Sequence, residues 1–274
     1  MAVLATPKKF TMQQAYEILL RKPVDKSIIA YLTDCKTTGL ENTMEMVYPS
    51  GGAGNVYVGG GFGHSRRATL NVTVATFNTD VLAAQNGTEV VTGSTDITYY
   101  DVITVGASGT ASTKFKAIGT AGSEISYIYK LNSDGTYGTA WEQASVASEG
   151  KFTYTSSTKA IAFYESDPNK PVEGDILACA YKFQSADNAQ KITINSDGIP
   201  PVVLVSAYGI AKDVCTGELF PCVIDGQAQV DGNWNFDVSA DGEPVVQSLN
   251  MEFVKGCIDK TLYTFTVFTE DETE

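Results

Sequence analysis

Residues 223–254 contain the clearest alternation of apolar and polar side chains in the chain. A period of two residues is typical of a strand with one buried face. The first run places apolar residues between polar ones, namely Trp234, Phe236 and Val238 between Asn233, Asn235 and Asp237. The second run, 245–253, alternates in the same way, with Ser248, Asn250 and Glu252 on its polar side. The Asp241-Gly242 pair between them is typical of a tight turn. The stretch therefore predicts a hairpin whose apolar face packs on another layer and whose polar face meets water or a lumen.

The rest of the chain extends this pattern and predicts a mainly β protein. The expected strands cover residues 27–32, 43–48, 69–76, 175–183, 191–195, 202–207, 219–224 and 262–268. A capping-box pattern predicts a helix at 11–21, and an apolar face followed by Gly87 predicts a second short helix at 80–86. Residues 49–63 hold seven glycines and predict a long loop, with 56–58 as a possible edge strand.

The sequence pattern changes at residues 95–166, where short apolar runs alternate with residue pairs that are typical of turns, such as Asp134-Gly135. Several short strands at this spacing predict a small β subdomain. We therefore expect a discontinuous β domain, 1–94 and 167–274, that carries 95–166 as an insertion.

The net charge of −13 argues against a protein that grips nucleic acid by its phosphates. The chain has no apolar run long enough for a membrane span and no signal-peptide pattern near residue 1, so we expect no membrane partner. Its five cysteines are scattered and form no metal-binding pair. Reduced thiols are the expectation, although the spacing leaves a Cys215–Cys222 disulfide open.

The sequence contains few residues arranged in motifs that are typical of catalytic or cofactor sites. The glycine-rich loop lacks both the dinucleotide-binding and the P-loop spacing. His64 is the single histidine, so a multi-histidine metal site is impossible, and no nucleophile-elbow motif accompanies it. Residues 132–135 and 195–198 resemble calcium-loop fragments but lack the downstream glutamate, so they are better explained as turns. We expect no enzyme, no cofactor and no metal, while a spatial carboxylate pair of the glycosidase kind stays open.

The pair Arg66-Arg67 is a rare basic element in an acidic chain, and it follows the glycine-rich loop directly. Two interpretations carry equal weight. The pair is either the solvated start of a strand or a docking pair for acidic groups on a neighbouring copy.

Six stretches together resemble, in order, the tail tube (major tail) proteins of phages that infect Gram-positive bacteria. They are GGGFGHSRR, TLNVTVATFNTDVLAAQNGTEVVTGSTDITYY, EISYIYKLNSDGTYG, GKFTYTSSTKAIAFYE, GDILACAYKF and VDGNWNFDVSADGEPV. The resemblance covers residues 59–268 and rests on the ordered set, since no single stretch is specific. It implies a β-sandwich or barrel of the tail-tube type with a short flanking helix at 80–86, and it places the insertion 95–166 on the outside of a tube.

The same resemblance implies a structural virion protein, made in the host cytoplasm and located in the phage tail. Its copies would form stacked hexameric rings around a lumen that holds DNA and the tape-measure protein, without sequence-specific binding. Tail completion and baseplate proteins would be further partners. The loop 49–63 and its flank would contact neighbouring copies through Gly54, Tyr57, Phe62, His64, Arg66 and Arg67. The polar side of the hairpin would line the lumen through Asn233, Asn235, Asp237, Ser248, Asn250 and Glu252, where acidic groups repel DNA phosphates.

Other classes of function also fit parts of the sequence. A capsid decoration or baseplate component would share the β composition but not the assembly into a tube. A carbohydrate-binding or adhesin module could use a stacking platform of Tyr99, Tyr100, Tyr127, Tyr129 and Trp141. A β-rich hydrolase would need measurable turnover.

Overall fold

A computed structural model of the chain describes residues 7–12, 16–48, 60–235, 246–256 and 260–269. Within these residues it contains one α-helix, α1 (Thr79–Gln85), and nineteen strands. The strands are β1 (Phe10–Met12), β2 (Glu17–Arg21), β3 (Ile28–Leu32), β4 (Cys35–Val47), β5 (Phe62–Val74), β6 (Val91–Thr92), β7 (Asp96–Thr104), β8 (Ala111–Ser112), β9 (Ala117–Ile118), β10 (Tyr127–Leu131), β11 (Tyr137–Gln143), β12 (Lys151–Thr155), β13 (Ala160–Phe163), β14 (Ile176–Gln184), β15 (Gln190–Lys191), β16 (Val202–Asp213), β17 (Leu219–Val230), β18 (Gln247–Phe253) and β19 (Tyr263–Val267). No helix of the described segments is long and apolar enough to cross a membrane.

The chain divides into two compact units, one formed by 1–90 with 192–274 and the other by 91–191. The first unit is built on a nine-stranded sheet and the second on an eight-stranded sheet. The separation of 95–166 as an inserted domain stays a prediction.

The sheet of the first unit curls into a nearly closed, barrel-like layer. Its strand order is β3-β2-β16-β17-β18-β5-β4, with β1 beside β16 and β19 beside β17. β3 and β4 stand at opposite ends of this order, yet only residues 33 and 34 separate them along the chain. Buried side chains from β3, such as Leu32, and from β5, such as Leu70, belong to the same core. The two ends of the sheet are therefore brought together around one interior.

The strand predicted at 69–76 is confirmed within β5, because Leu70, Val72 and Val74 are buried on one face. β5 already begins at Phe62, so the loop predicted at 49–63 is wrong at its last two residues, and its part 49–59 lies outside the described residues. The prediction for the second arm of the hairpin is confirmed as β18, in which Gln247, Leu249, Met251 and Phe253 are buried and the residues between them are half-buried. Strands were also correctly predicted at 27–32, 43–48, 175–183, 202–207, 219–224 and 262–268, although β4, β16 and β17 are longer than expected.

The helix predicted at 11–21 is wrong, because the structure has β1 and β2 in this region. Ile18 and Leu20 are fully buried on one face of β2, a period of two that the apolar pattern also allowed. β2 is held between β3 and β16, and the β16 partners lie about 190 residues away along the chain. Pairing with distant strands therefore overrides the local capping-box signal.

The first arm of the predicted hairpin is wrong at 233–235, which form no strand. The strand before β18 is β17, which ends at Val230, and the chain turns immediately afterwards. The Asp231 carboxylate accepts hydrogen bonds from the backbone N–H and the side-chain amide of Asn233, at 3.0 and 2.8 Å. Such a turn competes with strand geometry. Residues 236–245, with the predicted turn Asp241-Gly242, lie outside the described residues. The strand expected at 191–195 is also too long, since β15 ends at Lys191.

The helix α1 confirms the prediction at 80–86, and its N-cap is Asn78. The Asn78 side chain accepts hydrogen bonds from the backbone N–H groups of Asp80 and Val81. Gly87 ends the helix at φ +62°, and a Cβ there would lie 2.3 Å from the carbonyl oxygen of Ile199. Both the backbone conformation and this close approach require glycine.

A buried amide network fixes α1 on the sheet. The Gln85 side chain donates to the carbonyl oxygen of Ser248 at 2.8 Å, and the Gln247 amide donates to the Gln85 side-chain oxygen at 3.3 Å. The Gln247 oxygen in turn accepts from the backbone N–H of Asn78 at 2.8 Å. Because both glutamines are almost fully buried, each must find partners, and this requirement sets the position of the helix over β18.

The second unit has its own core around Trp141, Phe152, Ile128 and Leu177. Its main sheet has the order β7-β14-β10-β11-β12-β13-β8, with β9 beside β14, and β6 pairs with β15 in a separate two-stranded sheet. Gly135, in the expected turn, has a positive φ, and so do Gly109 and Gly150 in other turns of this unit. The second unit is thus a β structure with an apolar interior that does not depend on the first core.

The buried carboxylate of Asp167 ties the turns of the second unit to its core. It accepts hydrogen bonds from the backbone N–H groups of Gly150 and Asn169, each at 2.8 Å, and from the Trp141 indole N–H at 3.3 Å. The two backbone donors hold the pKa of Asp167 below its usual range. Its stabilising contribution is therefore present above the unfolded pKa, near 3.9, and is lost as the pH falls through the lower folded value.

We expect Asp167→Asn to lower the free energy of unfolding of the second unit by about 1–3 kcal/mol at neutral pH. An amide oxygen accepts hydrogen bonds more weakly than a carboxylate, and the added NH₂ group lacks an acceptor among these three donors. Denaturant unfolding at pH 7 and at pH 3 measures the effect, which should shrink at the lower pH. The exposed Glu173→Gln is the matched control and should change stability by less than about 0.5 kcal/mol. An equal loss in both variants would contradict this role of Asp167.

Candidate assembly surface

The outer half of the β4–β5 hairpin is the most exposed regular structure of the first unit. We call residues 42–48 and 60–67 the arm. β4 and β5 pair antiparallel along their whole length, but every described side chain of the arm is exposed, whereas alternate side chains of β5 are buried from Ala68 onwards. The two strands of the arm are thus hydrogen-bonded to each other, but neither face of the arm is buried.

Apolar side chains are concentrated on this arm, and Phe62 is 70% exposed. The other large apolar side chains of the arm that are exposed are Met44, Met46, Val47 and Tyr48. Gly61 and Gly63 have no side chain and so leave space for the apolar side chains beside them. A Cβ on Gly63 would lie only 2.7 Å from the Met44 sulfur, which is too close for a normal contact. A group of exposed, flexible apolar side chains of this size is typical of a contact surface.

A bulge interrupts the arm where Thr43 and Glu45 pair with Arg67 and His64. Ser65 lies in this bulge at φ +54°, a region that side chains other than glycine rarely adopt. The His64 ring nitrogen Nδ1 is 2.9 Å from the Ser65 hydroxyl and 3.4 Å from the Glu45 carboxylate. The predicted contact residue His64 is therefore part of a local polar group on the arm.

Arg66 and Arg67, adjacent in sequence, have different partners. Arg67 donates two hydrogen bonds to the Glu252 carboxylate of β18, at 2.8 and 2.9 Å, and this pairing lowers the pKa of Glu252. Arg66 contacts the sulfur of Met44 at 3.6 Å. The sequence placed Arg67 in an inter-subunit set and Glu252 in a lumen set, and the structure brings the two together within one chain.

The polar face of β18 continues across the neighbouring strands. Ser248, Asn250 and Glu252 lie opposite Thr73, Asn71 and Thr69 of β5, and Glu252 also lies opposite Gln229 of β17. On the far side of β17, Asp225 accepts a hydrogen bond from Ser206 at 2.6 Å, and Ser206 accepts one from Arg21 at 2.9 Å. We call this side of the sheet, opposite the core, the polar face. Around β18 this face carries amides and hydroxyls apart from Glu252, whose charge is matched by Arg67, and towards β16 and β2 it also carries the charged side chains Asp225 and Arg21.

The other predicted site residues lie elsewhere. Asn233 is in the turn after β17, and Asn235 follows it in a segment without strand structure. Gly54, Tyr57 and Asp237 lie outside the described residues. The predicted lumen set is therefore not one continuous strand pair, although three of its members share the polar face of β18.

We expect exchange of the two charges, Arg67→Glu with Glu252→Arg, to restore the stability that either single variant loses. Each single variant should lose only a small part of the stability, because the pair is exposed to solvent and salt screens it. A double-mutant cycle from denaturant unfolding at two salt concentrations measures the coupling. A coupling energy of zero at low salt would contradict the pairing.

The aromatic platform expected in the second unit is partly wrong. Trp141 is fully buried and Tyr99 packs on Phe115, so neither belongs to an exposed stacking surface. The exposed side of the sheet instead carries the tyrosines Tyr100, Tyr127, Tyr129 and Tyr137. The ring centroids of Tyr129 and Tyr137 are 5.3 Å apart, and the hydroxyls of Tyr100 and Tyr137 are 3.1 Å apart. Tyr137 was missed because its place opposite Leu131 depends on a bulge in β10–β11 pairing.

A basic cavity of about 540 Å³ lies at the base of the arm and was also missed. Its lining includes Asn42, Arg66, Lys255, Lys260 and Tyr263. The Asn42 amide donates to the Tyr263 hydroxyl at 3.2 Å and so connects the arm to the start of β19. The Lys255 and Lys260 spacing carried no strand or motif signal, because the cluster exists only once β4, β5 and β19 come together.

Groups that could bind a metal are absent from the described part of the chain, where no three His, Cys, Asp or Glu side chains cluster suitably. Cys35, Cys179, Cys215 and Cys222 are free thiols, so Cys215 and Cys222 form no disulfide. Burial raises the pKa of the Cys179 thiol to about 12, which makes it unreactive.

A family model described as the YomU/Tube protein family matches residues 10–265, which is most of the chain. The match covers the arm, the polar face and the whole second unit. No curated protein matches the chain.

Proposed function

The chain belongs to the YomU/Tube protein family, a phage tail tube family, and we propose that its copies form stacked hexameric rings that build the tail tube. Tail tube membership suggests a structural protein of the virion that works as an oligomer. The finer statement, that genome DNA passes through the lumen of these rings, is part of the proposal. So are the absence of catalysis and the partners in the tail, namely the tape-measure, tail completion and baseplate proteins.

The observation that carries the proposal is the arm. A paired hairpin with exposed apolar side chains on both strands gains stability when a second copy covers it. Its backbone edge on β4 is also free of a partner in the strand order of the described sheet. Pairing between copies would cover that edge, as closed rings of strands do. Phe62, His64, Arg66 and Arg67 would be the contact residues of the described part of the arm.

The polar face suits a lumen that DNA must pass without sticking. Amide and hydroxyl groups offer no fixed cation to phosphates. Of the two arginines of this face, Arg67 is paired with Glu252, and Arg21 donates to Ser206, which in turn donates to the Asp225 carboxylate. We therefore assign Ser248, Asn250 and Glu252 to the lumen wall. If they line it, replacing Glu252 by lysine should slow DNA delivery, since the change leaves Arg67 without its partner and adds a second cation. Unchanged delivery would contradict this assignment.

Sedimentation velocity of the purified chain, combined with negative-stain electron microscopy, tests the proposal. The expected result is a concentration-dependent shift from monomer to rings and hollow tubes. A monomer at all concentrations, even with an added tail-initiation complex, would favour the decoration or baseplate alternative.

A second candidate function, glycan binding, rests on the tyrosine surface of the second unit. Exposed aromatic rings with hydroxyls are suited to stacking on sugar rings. A glycan array probed with the full chain and with Tyr127→Ser/Tyr137→Ser tests this role. Binding that both chains share, or no binding at all, would reject it.

A further inference from the structure

We propose that the basic cavity at the base of the arm receives the acidic stretch 270–274 of a second copy of this chain. The inference rests on the proposed self-assembly and names one of its contacts. The cavity, of about 540 Å³, combines three cationic side chains, Arg66, Lys255 and Lys260, with the polar groups of Asn42 and Tyr263.

The three cations are left without acidic partners inside the described part of the chain. The ion pairs there involve Lys22, His64, Arg67, Lys130 and Lys170, and none includes a cation of the cavity. The contrast between Arg66 and Arg67 is informative. Successive residues of a strand point to opposite faces. Arg67 thus reaches Glu252, whereas Arg66 lines the cavity.

Charge complementarity identifies the occupant. The chain has 32 acidic and 19 basic side chains, so three cations around one cavity that have no acidic partner among the described residues stand out against the overall charge. The stretch 270–274 reads EDETE and supplies four carboxylates in five residues. A short acidic peptide can place several carboxylates around clustered ammonium and guanidinium groups. The hydrogen bond between Asn42 and Tyr263 sets the wall of the cavity against which such a peptide would lie.

The direction of β19 favours a second copy over the same copy. Tyr263 lines the cavity at the start of β19, and the strand leads from there to Val267 over roughly 13 Å at the rise of a strand. The stretch 270–274 of the same copy would have to reverse its direction after the strand to reach the cavity, whereas that of a neighbouring copy carries no such restriction.

Cross-linking with a zero-length carbodiimide tests the contact, because the reagent joins a lysine amine to a carboxylate that touches it. A mixture of ¹⁴N-labelled and ¹⁵N-labelled full-length chains separates contacts between copies from contacts within one copy by mass spectrometry. We expect mixed-isotope links from Lys255 or Lys260 to 270–274, and none from the exposed control Lys212. Links within one copy only, or no links to 270–274, would overturn the proposal.

Charge reversal provides the second readout. Lys255→Glu/Lys260→Glu should raise the concentration needed for assembly by about tenfold or more, and adding Glu270→Lys/Glu272→Lys should restore it. Lys212→Glu, which makes a similar change outside the cavity, should leave it unchanged. Assembly of Lys255→Glu/Lys260→Glu at the wild-type concentration would overturn the inference.

Two further outcomes separate this inference from others. If the wild-type chain forms no tubes but the mixed-isotope links appear, the contact stands and the tube proposal fails. If the wild-type chain retains a short duplex DNA that Lys255→Glu/Lys260→Glu no longer binds, the cavity is a phosphate site and the inference fails.

Discussion

Replacing Leu249 by alanine is expected to lower the free energy of unfolding of the first unit by about 2–5 kcal/mol. Leu249 is fully buried in the middle of β18, and it lies opposite Val72 of β5, which is equally buried. Truncation removes apolar contacts and leaves a cavity. The hydrogen-bonded strands beside the cavity cannot easily move to fill it. Denaturant unfolding followed by far-UV circular dichroism measures the loss. Because the chain has two compact units, each transition is fitted separately.

The neighbouring variant Ser248→Ala is the matched control, and it should change stability by less than about 0.5 kcal/mol. Ser248 sits on the polar face, so its side chain supports no core contact. The pair of variants therefore decides which face of β18 is interior, a question on which the lumen assignment depends. A large loss for Ser248→Ala with a small one for Leu249→Ala would mean that the faces are exchanged.

The second large effect is expected on assembly rather than on folding. Met44→Ser/Met46→Ser/Phe62→Ser should leave the unfolding free energy within about 0.5–1 kcal/mol of the wild type, because these side chains are exposed in the single chain. In a ring every copy would lose the same apolar contacts, and buried apolar anchors commonly contribute more than about 1 kcal/mol each. The concentration at which tubes form should therefore rise at least about tenfold, as measured by sedimentation and electron microscopy.

Val214→Ser is the control for this prediction. Val214 is a half-exposed apolar side chain of the same unit, in the turn between β16 and β17 and outside the arm. It should leave both stability and tube formation unchanged. If the arm variant forms tubes as well as the wild type does, the arm is not part of the interface between copies.

The local sequence was sufficient to predict a strand or a helix where the pattern of its own residues is distinctive. The alternation of Leu70, Val72 and Val74 predicted β5, and Gly87 predicted the end of α1. The failures arise where a distant partner decides the structure. Ile18 and Leu20 suit a strand as well as a helix, and β16 determined the outcome by pairing with them.

The sequence predicted which side chains of the candidate site share a face, but not which side chains contact each other. Alternation placed Ser248, Asn250 and Glu252 on one side of β18, as the structure shows. The partner of Glu252 is Arg67, 185 residues away, and no spacing in the sequence encodes that distance. The basic cavity likewise gathers residues from two separated parts of the chain. Side-chain pairs of this kind follow from the sheet order, which is a property of the whole fold.

A helical reconstruction of assembled chains by electron cryomicroscopy would locate the arm and β18 in the assembly. We expect a hollow tube of stacked rings in which the arm is covered by a neighbouring copy and Ser248, Asn250 and Glu252 line the lumen. An assembly without a central channel, or a tube that carries these three residues on its outer surface, would contradict this expectation.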